Sequence, residues 1–402
     1  MTSMARELLR RPGEPKQATF LELFFDLVFV LVITQLSHGL IQDLTWSGAF
    51  QTLVLLLAVW WIWTNTAWIT DLYDPRRMAI QVLVIATMLG TFMMAVALPD
   101  AFGSQGLVIA GLYVAIHLGR HLFLVVALRG HEAQRRSLRV LFWFGVSAVP
   151  WIAGALAHET ARGALWALAV TVDYLAGVLR YPTPGLGRPP SSEWPIVPEH
   201  LAERYRQLFI IALGELILVA GSTLWGTGFA PDRTAAAVVS FFTTVLLWRI
   251  YIYRAGELLP AAIAAAPDPD RVARSALVAH LPMVAGVVLT AVGVELVIAH
   301  PSGHTTLAWI AVILGGPSLF VVGRAVFEYQ VFTRVSRDRL IGLLVLAVLT
   351  PALLLVPPLL AALAATAVLA GIAVADAVRA RGRPAESPSP PGRRSPPDGS
   401  AG

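Results

Sequence analysis

The sequence predicts an all-α polytopic membrane protein with about 12 transmembrane helices, arranged as two parallel six-helix repeats, with both termini in the cytoplasm. Of its 402 residues, 56% are hydrophobic and 14% are charged, which leaves too little polar surface for a soluble protein of this length. Apolar stretches of about 20 residues, the length that crosses the hydrocarbon layer, recur along the chain. The N-terminus, alternate gaps and the C-terminus together carry 25 of the 30 lysines and arginines. The positive-inside rule therefore places these segments in the cytoplasm.

Twelve apolar stretches are predicted to span the membrane, with boundaries accurate to about four residues. They cover residues 20–41, 46–69, 78–98, 106–128, 140–157, 163–180, 207–224, 234–253, 275–299, 306–327, 340–356 and 359–378. Pro357-Pro358 separates the last two stretches, because two prolines interrupt the hydrogen bonding of a helix. Of the lysines and arginines, only Arg162 and Arg233 lie in the gaps assigned to the opposite side.

Landmarks repeat in order when the chain is shifted by 180 to 204 residues. The segment FVLVITQL (29–36) aligns with FIIALGEL (209–216), and Gly119-Arg120 aligns with Gly323-Arg324. Since each repeat would hold an even number of spans, both would have the same orientation. The predicted domains are a cytoplasmic N-terminal segment 1–19, a first repeat 20–180, a cytoplasmic connector 181–206, a second repeat 207–379 and a disordered cytoplasmic tail 380–402, whose Arg, Pro, Ser and Gly content cannot form a core.

Composition and motifs exclude several kinds of function. The chain has no cysteine, so disulfides and thiolate chemistry are absent. The positive-inside bias accounts for the net charge of +5, and we expect no nucleic-acid partner. No Walker loop or dinucleotide fingerprint occurs. Lys16 and Asn65 are the only lysine and asparagine, which fits the coding bias of a GC-rich bacterium. Together with the apolar spans, this predicts a location in the bacterial cytoplasmic (inner) membrane.

The first span opens with two carboxylates that share one helix face. Glu22 and Asp26 are four residues apart, so they are neighbours on the helix surface, and carboxylates near a helix N-terminus are stabilised by its partial positive charge. One interpretation is a cation or proton site that faces a cytoplasmic vestibule. The other is a helix-start pair held by an arginine of a neighbouring span.

Two further polar residues are candidates for binding an ion or solute. Glu215 is about the ninth residue of its span and so lies near the membrane midplane, where it is either a proton or cation site or a carboxyl that is protonated or hydrogen-bonded to another helix. Asn65 is predicted to make an interhelical hydrogen bond.

Other ionisable residues fall in the inner half of their spans and are expected to form a charge network. His117, Arg120 and His121 share a face of the fourth span, and the remaining members are Asp173, Arg249, His280, Arg324 and Asp376. The structural interpretation is that this network has no function beyond holding the two halves together. His-x-x-x-His is also a spacing of metal or haem ligands, but the sequence identifies no third ligand of known proximity, so we predict no metal site and no cofactor.

Three segments resemble one protein family. LELFFDLVFVLVITQLSHGL (21–40), HLAERYRQLFIIALGE (200–215) and HLPMVAGVVLTAVGVELVIAHP (280–301) are similar to segments of the bacterial low temperature requirement A (LtrA) family, in the same order. The resemblance implies a polytopic bacterial membrane protein that is tied to growth at low temperature in some members. It implies no reaction.

Three functions remain open. The preferred hypothesis is a transporter or channel for a small solute or cation, with Glu22, Asp26, Asn65 and Glu215 as binding residues, the lipid bilayer and a small cation or proton as partners, and a homo-oligomer as one assembly. The second is a membrane enzyme that acts on a lipid and uses the histidines and carboxylates of spans four and six. The third is a non-catalytic scaffold or sensor linked to low-temperature growth. Whether the chain is an enzyme is left open, and the non-enzymatic functions are preferred.

Overall fold

The structure is a computed structural model that describes residues 7–10, 17–187, 197–381 and 387–391. The chain divides into two compact units, Met1–Pro195 and Ile196–Gly402, and each is described by itself. Residues 188–196 of the predicted connector, and residues 382–386 and 392–402 of the predicted tail, lie outside the described residues.

The described residues of the first unit form six long helices. They are α1 (Phe20–Gln42), α2 (Trp46–Leu72), α3 (Met78–Ala97), α4 (Gly106–Ala127), α5 (Ala133–Leu156) and α6 (Glu159–Val178). A single 3₁₀ turn, Leu98–Asp100, follows α3. Leu9, which precedes α1 in the sequence, pairs with Tyr73 at the end of α2 in an isolated β-bridge.

In the second unit, the part of the chain that the structure describes forms six long helices and one short helix. They are α7 (Pro198–Thr227), α8 (Pro231–Tyr251), α9 (Glu257–Ala265), α10 (Pro269–Ala299), α11 (Leu307–Phe332), α12 (Arg337–Leu353) and α13 (Pro358–Ala380). A π-helical turn, Ile252–Gly256, joins α8 to the short α9.

Each of the twelve predicted spans coincides with a long helix, and the break at Pro357-Pro358 is present. In the described part of the chain, ten helices are long and apolar enough to cross a membrane, and the two long helices outside this set are α6 and α12. The chain is therefore a membrane protein with many apolar helices.

Four helices extend beyond the predicted spans by more than four residues. Polar residues continue the helix there, whereas the apolar pattern has already stopped. The observed ends are Ala133 for α5 (predicted 140), Pro198 for α7 (predicted 207), Pro269 for α10 (predicted 275) and Phe332 for α11 (predicted 327).

Glycines bring α10 and α11 into backbone contact. A Cβ on Gly286 would lie 2.6 Å from the Phe320 backbone nitrogen, and one on Gly316 would lie 2.6 Å from the Thr290 backbone nitrogen. Small residues permit such close approach, which is how membrane helices gain van der Waals contact without a hydrophobic driving force.

The two arginines of the predicted gaps on the opposite side hold helix ends. The Arg162 guanidinium donates to the carbonyls of Gly154, Ala155 and Ala157 at the C-terminal end of α5. Arg233 donates to the carbonyl of Thr227, the last residue of α7. A cation at a helix C-terminus satisfies carbonyls that lack intrahelical partners and interacts favourably with the helix dipole.

Candidate functional site

The two carboxylates of α1 have different surroundings. Glu22 Oε2 accepts hydrogen bonds from the Thr19 amide (2.8 Å) and the Thr19 hydroxyl (2.9 Å), and the Thr19 hydroxyl accepts from the Glu22 amide. This capping box ties Glu22 to the helix start. Asp26, one turn further on, is fully buried and accepts a hydrogen bond from the indole nitrogen of Trp63 on α2 at 2.9 Å. Asp26 is thus the deeper of the two carboxylates.

Another buried carboxylate of the first unit lies on α6. Asp173 Oδ2 accepts a 2.7 Å hydrogen bond from the Tyr113 hydroxyl of α4 and a longer one, 3.5 Å, from the indole nitrogen of Trp151 on α5. The rings of Tyr113 and Trp151 pack against each other with centroids 4.4 Å apart. Three helices therefore enclose this carboxylate.

Residues spaced by four line one face of α4. Tyr113, His117 and His121 are all buried, and the centroids of the Tyr113 and His117 rings are 4.5 Å apart. Both histidine rings stack on Phe144 of α5. We call Tyr113, His117 and His121 the α4 stripe.

Arg120 joins the α4 stripe to α2. One of its terminal nitrogens, Nη2, contacts His117 Nδ1. Because a guanidinium only donates, Nδ1 must accept, and the proton of the neutral imidazole lies on Nε2. The other terminal nitrogen, Nη1, donates to the Thr66 hydroxyl at 3.2 Å and the Ile62 carbonyl at 3.5 Å.

Buried polar groups of the first unit thus lie between two carboxylates, and we call them the network of this unit. Tyr113 donates to Asp173 and packs its ring against His117, and Arg120 contacts His117 and donates to α2. Trp63 of α2 separately donates to Asp26. The direct partner of Asp173 on α4 is the Tyr113 hydroxyl, so the arginine and this aspartate meet through intervening groups.

Asn65 and His121 line one small cavity of about 20 Å³ at one end of this network. The Asn65 amide donates to the Trp61 carbonyl of its own helix at 2.9 Å, so its observed hydrogen bond is intrahelical and not the interhelical one predicted. Neither ring nitrogen of His121 has a hydrogen-bond partner within the described part of the chain. Burial raises the pKa of Tyr73, which also lines the cavity. The cavity has room for about one water molecule.

A larger cavity of about 380 Å³ lies beside the N-terminal turn of α6. Its lining includes Phe102, Thr160 and Gly163. Trp166 packs on Phe102 at 5.0 Å and on Trp151 at 5.4 Å between ring centroids. These aromatic rings lie along α6 between the cavity and the buried carboxylate of that helix.

In the second unit, Arg324 of α11 holds the end of α8. Its Nε donates to the Ile250 carbonyl at 2.9 Å and its Nη2 to the Tyr253 carbonyl at 2.7 Å. The π-helical turn begins at Ile252, where the regular i to i−4 pattern is interrupted and carbonyls need other donors. The arginine supplies them.

Asp376 of α13 forms ion pairs with arginines other than Arg324. Its Oδ2 lies 3.2 Å from Arg339 Nη2, and its Oδ1 lies 3.5 Å from Arg379 Nη2. Arg339, which is buried, also pairs with Glu328 at 2.7 Å. The network of this unit is therefore a set of ion pairs between α11, α12 and α13.

The remaining predicted residues of the second unit are placed as follows. His280 is buried, with Nδ1 donating to the Ala276 carbonyl at 2.7 Å and Nε2 accepting from the Tyr251 hydroxyl at 3.1 Å. Arg249 lies over the Tyr253 ring at 5.0 Å. Glu215 is fully buried in α7. His280 has both nitrogens satisfied, unlike His121.

The sequence interpretation did not include several partners of these groups. Tyr113, Trp63 and Arg339 contact the predicted carboxylates directly. The sequence pattern could have identified Tyr113, because it lies four residues before His117 and therefore shares the helix face of the two histidines. The described residues contain no group of three or more histidine, aspartate or glutamate side chains that could hold a metal ion.

Comparisons with known proteins identify relatives but no activity. The family model described as bacterial low temperature requirement A protein (LtrA) matches residues 17–374. An uncharacterized protein of Rhizobium meliloti (strain 1021) is 35% identical over 319 residues, which cover 79% of this chain and 78% of that protein. No solved structure matches the chain significantly.

Proposed function

The chain belongs to the bacterial low temperature requirement A (LtrA) family, and from this premise we propose that it is a membrane transporter or channel for a small cation or proton. Its binding groups are intramembrane carboxylates. Asp26 is the principal site in the first unit, and Glu215 is a second site in the second unit.

The observation that carries this proposal is the burial of carboxylates within the apolar helices of the first unit. Asp26 of α1 and Asp173 of α6 are both buried. Ionisable groups inside a membrane are costly, and they are typical of ion and proton pathways. A carboxylate is a ligand for a monovalent cation or a proton.

Burial and solvent access also support this function. The cavity of about 380 Å³ is large enough to admit a hydrated ion at one end of α6, whereas the interior of the network is closed by aromatic rings. The arginine distribution supports an orientation with both termini in the cytoplasm, and the family supports a bacterial inner membrane.

The test is cation uptake into liposomes that contain the purified protein. Sodium, potassium and proton uptake are measured separately under an imposed membrane potential, for the wild type, Asp26→Asn and Glu215→Gln. Asp43→Asn is the matched control, because Asp43 is an exposed aspartate just after α1. We expect uptake in the wild type and control and its loss in the Asp26 variant. No uptake by folded wild-type protein would contradict the proposal and favour the scaffold or enzyme hypotheses.

A further inference from the structure

We propose that the second unit binds a dehydrated alkali cation, sodium or potassium, in a small cavity between α8, α10, α11 and α13. The inference rests on the proposed transport function for its role, and it names the alkali cations rather than the proton as the ions that this cavity binds. The ligands are neutral oxygens, so the site is separate from the carboxylates Asp26 and Glu215.

The cavity has a volume of about 20 Å³, which is room for about one water molecule. A dehydrated potassium ion is about as large as a water molecule, and a sodium ion is smaller. The described side chains that line the cavity carry hydroxyls or are apolar, and none of them is charged. The three hydroxyl residues, Ser240, Thr243 and Thr290, are all buried, and we call them the hydroxyl cluster.

Two hydroxyls of the cluster already donate their protons to the carbonyl four residues earlier in their own helix. Ser240 Oγ of α8 donates to the Ala236 carbonyl at 2.9 Å, and Thr290 Oγ1 of α10 donates to the Gly286 carbonyl at 2.7 Å. A hydroxyl has a single proton and two lone pairs. Both residues therefore present oxygen lone pairs, and no proton, to the cavity.

The third hydroxyl of the cluster is held in the same way. Thr243 Oγ1 lies 3.0 Å from the Val239 carbonyl and 2.7 Å from the Thr366 hydroxyl of α13. Its single proton goes to one of these two neighbours. In either arrangement, the cavity faces a lone pair of the Thr243 oxygen.

A backbone carbonyl beside the cavity adds another oxygen. Pro317 lies inside α11, and both Pro317 and Ile313 line the cavity. Because proline has no N–H, the Ile313 carbonyl cannot receive the bond that a regular helix supplies from four residues later. Backbone carbonyls freed in interrupted membrane helices are typical sodium ligands in transporters.

The helices that carry these oxygens are held close together. A Cβ on Gly316 of α11 would lie 2.5 Å from Thr290 Oγ1, and one on Gly293 of α10 would lie 3.2 Å from the Cα of Ile313. The backbones of α10 and α11 therefore approach closely on both sides of the cavity. Oxygens fixed in this way need little rearrangement to bind an ion.

Oxygen acceptors without donors select for a monovalent cation. An anion would face lone pairs, and a water molecule would find no donor for its own oxygen. Calcium and magnesium prefer carboxylate ligands, which the described lining lacks, and neither a hydroxyl nor a carbonyl takes up a proton near neutral pH. Neutral oxygens that replace the hydration shell are how membrane proteins bind alkali cations.

The test is thermal unfolding of the purified full-length protein in a non-ionic detergent, followed by tryptophan fluorescence. Sodium or potassium chloride replaces choline chloride at constant ionic strength, because choline is too large for the cavity. A ligand that binds only the folded state raises Tm with its concentration. We expect sodium or potassium to raise the Tm of the wild type in a saturable way.

Substitutions at Thr290 assign the effect to this cavity. Thr290→Val keeps the branched shape but removes one oxygen ligand, so we expect the half-saturating cation concentration to rise about tenfold. Thr290→Ser keeps the oxygen and is expected to match the wild type. Thr244→Val is the matched control, because Thr244 is a buried threonine of α8 that donates to the Ser240 carbonyl at 3.0 Å but lies outside the lining.

A second variant changes the backbone ligand and keeps every hydroxyl. Pro317→Ala supplies an N–H that can donate to the Ile313 carbonyl. We expect its half-saturating cation concentration to rise about tenfold as well, while its Tm in choline is the same as or higher than that of the wild type. This variant keeps the test decisive if Thr290→Val fails to fold.

Uptake of sodium, potassium and protons into liposomes is measured for the same proteins. No stabilisation of the wild type by sodium or potassium, or unchanged half-saturation in folded Thr290→Val and Pro317→Ala, would overturn the site and leave transport at Asp26 standing. Saturable stabilisation without uptake of any ion by the wild type would instead support the site and overturn the transport function.

Discussion

Replacing Arg162 with alanine is expected to destabilise the first unit by about 3–4 kcal/mol. The side chain is buried and donates to five backbone carbonyls. The bonds to Gly103 at 2.6 Å and Ala101 at 3.1 Å fix the turn after α3. Each is worth about 1.5 kcal/mol, since the donor is charged. The three contacts of 3.2–3.3 Å with the last turn of α5 add about 1 kcal/mol as a C-terminal cap.

The measurement is unfolding of detergent-solubilised protein by added SDS, followed by tryptophan fluorescence. Arg162→Lys keeps the charge but cannot reach both segments at once, so its loss is expected to be about half as large. Arg135→Ala, a change at an exposed arginine of α5, is the control and is expected to stay within about 0.5 kcal/mol. If Arg162→Ala behaves like this control, the account of why an arginine persists outside the predicted cytoplasmic gaps is wrong.

Three other predictions concern packing, ion pairing and pH. Gly316→Ala places a Cβ within 2.6 Å of the Thr290 backbone nitrogen and should cost about 1–3 kcal/mol, whereas Gly315→Ala, with no atom within 4 Å, should be neutral or stabilising; SDS unfolding of both variants checks this. Arg339→Ala leaves two carboxylates without their buried partner and should cost about 3–5 kcal/mol, and a loss below 1 kcal/mol would contradict the buried ion-pair assignment. Since burial raises the pKa of Tyr73, the folded state keeps this proton while the unfolded state releases it above its ordinary pKa of about 10; stability should therefore fall as pH rises past that value, less steeply in Tyr73→Phe, and equal slopes would refute this origin.

The positions of the helices could be predicted from the sequence because apolar length alone sets a membrane span. Their ends could not, since polar turns such as Pro198 to Arg206 at the start of α7 remain helical outside the apolar stretch. The π turn and α9 had no signal, because ELLPAAIAA (257–265) is apolar but too short to span.

The candidate site was predictable only in part. Charges inside apolar stretches are rare, so Asp26, Arg120 and Asp173 could be singled out from the sequence. Their partners could not be predicted, because the order of helices in a bundle is not encoded in any local pattern. Nothing in the sequence distinguishes Trp63 from the neighbouring tryptophans. Only the contact between α1 and α2 shows that its indole nitrogen donates to Asp26.

The most direct test of the account is the uptake of sodium, potassium and protons by wild-type protein in liposomes under an imposed membrane potential. Transport at Asp26 predicts uptake of one of these ions by the wild type and its loss in Asp26→Asn. Folded wild-type protein that moves none of them, or an Asp26→Asn protein that moves the ion at the wild-type rate, would contradict it.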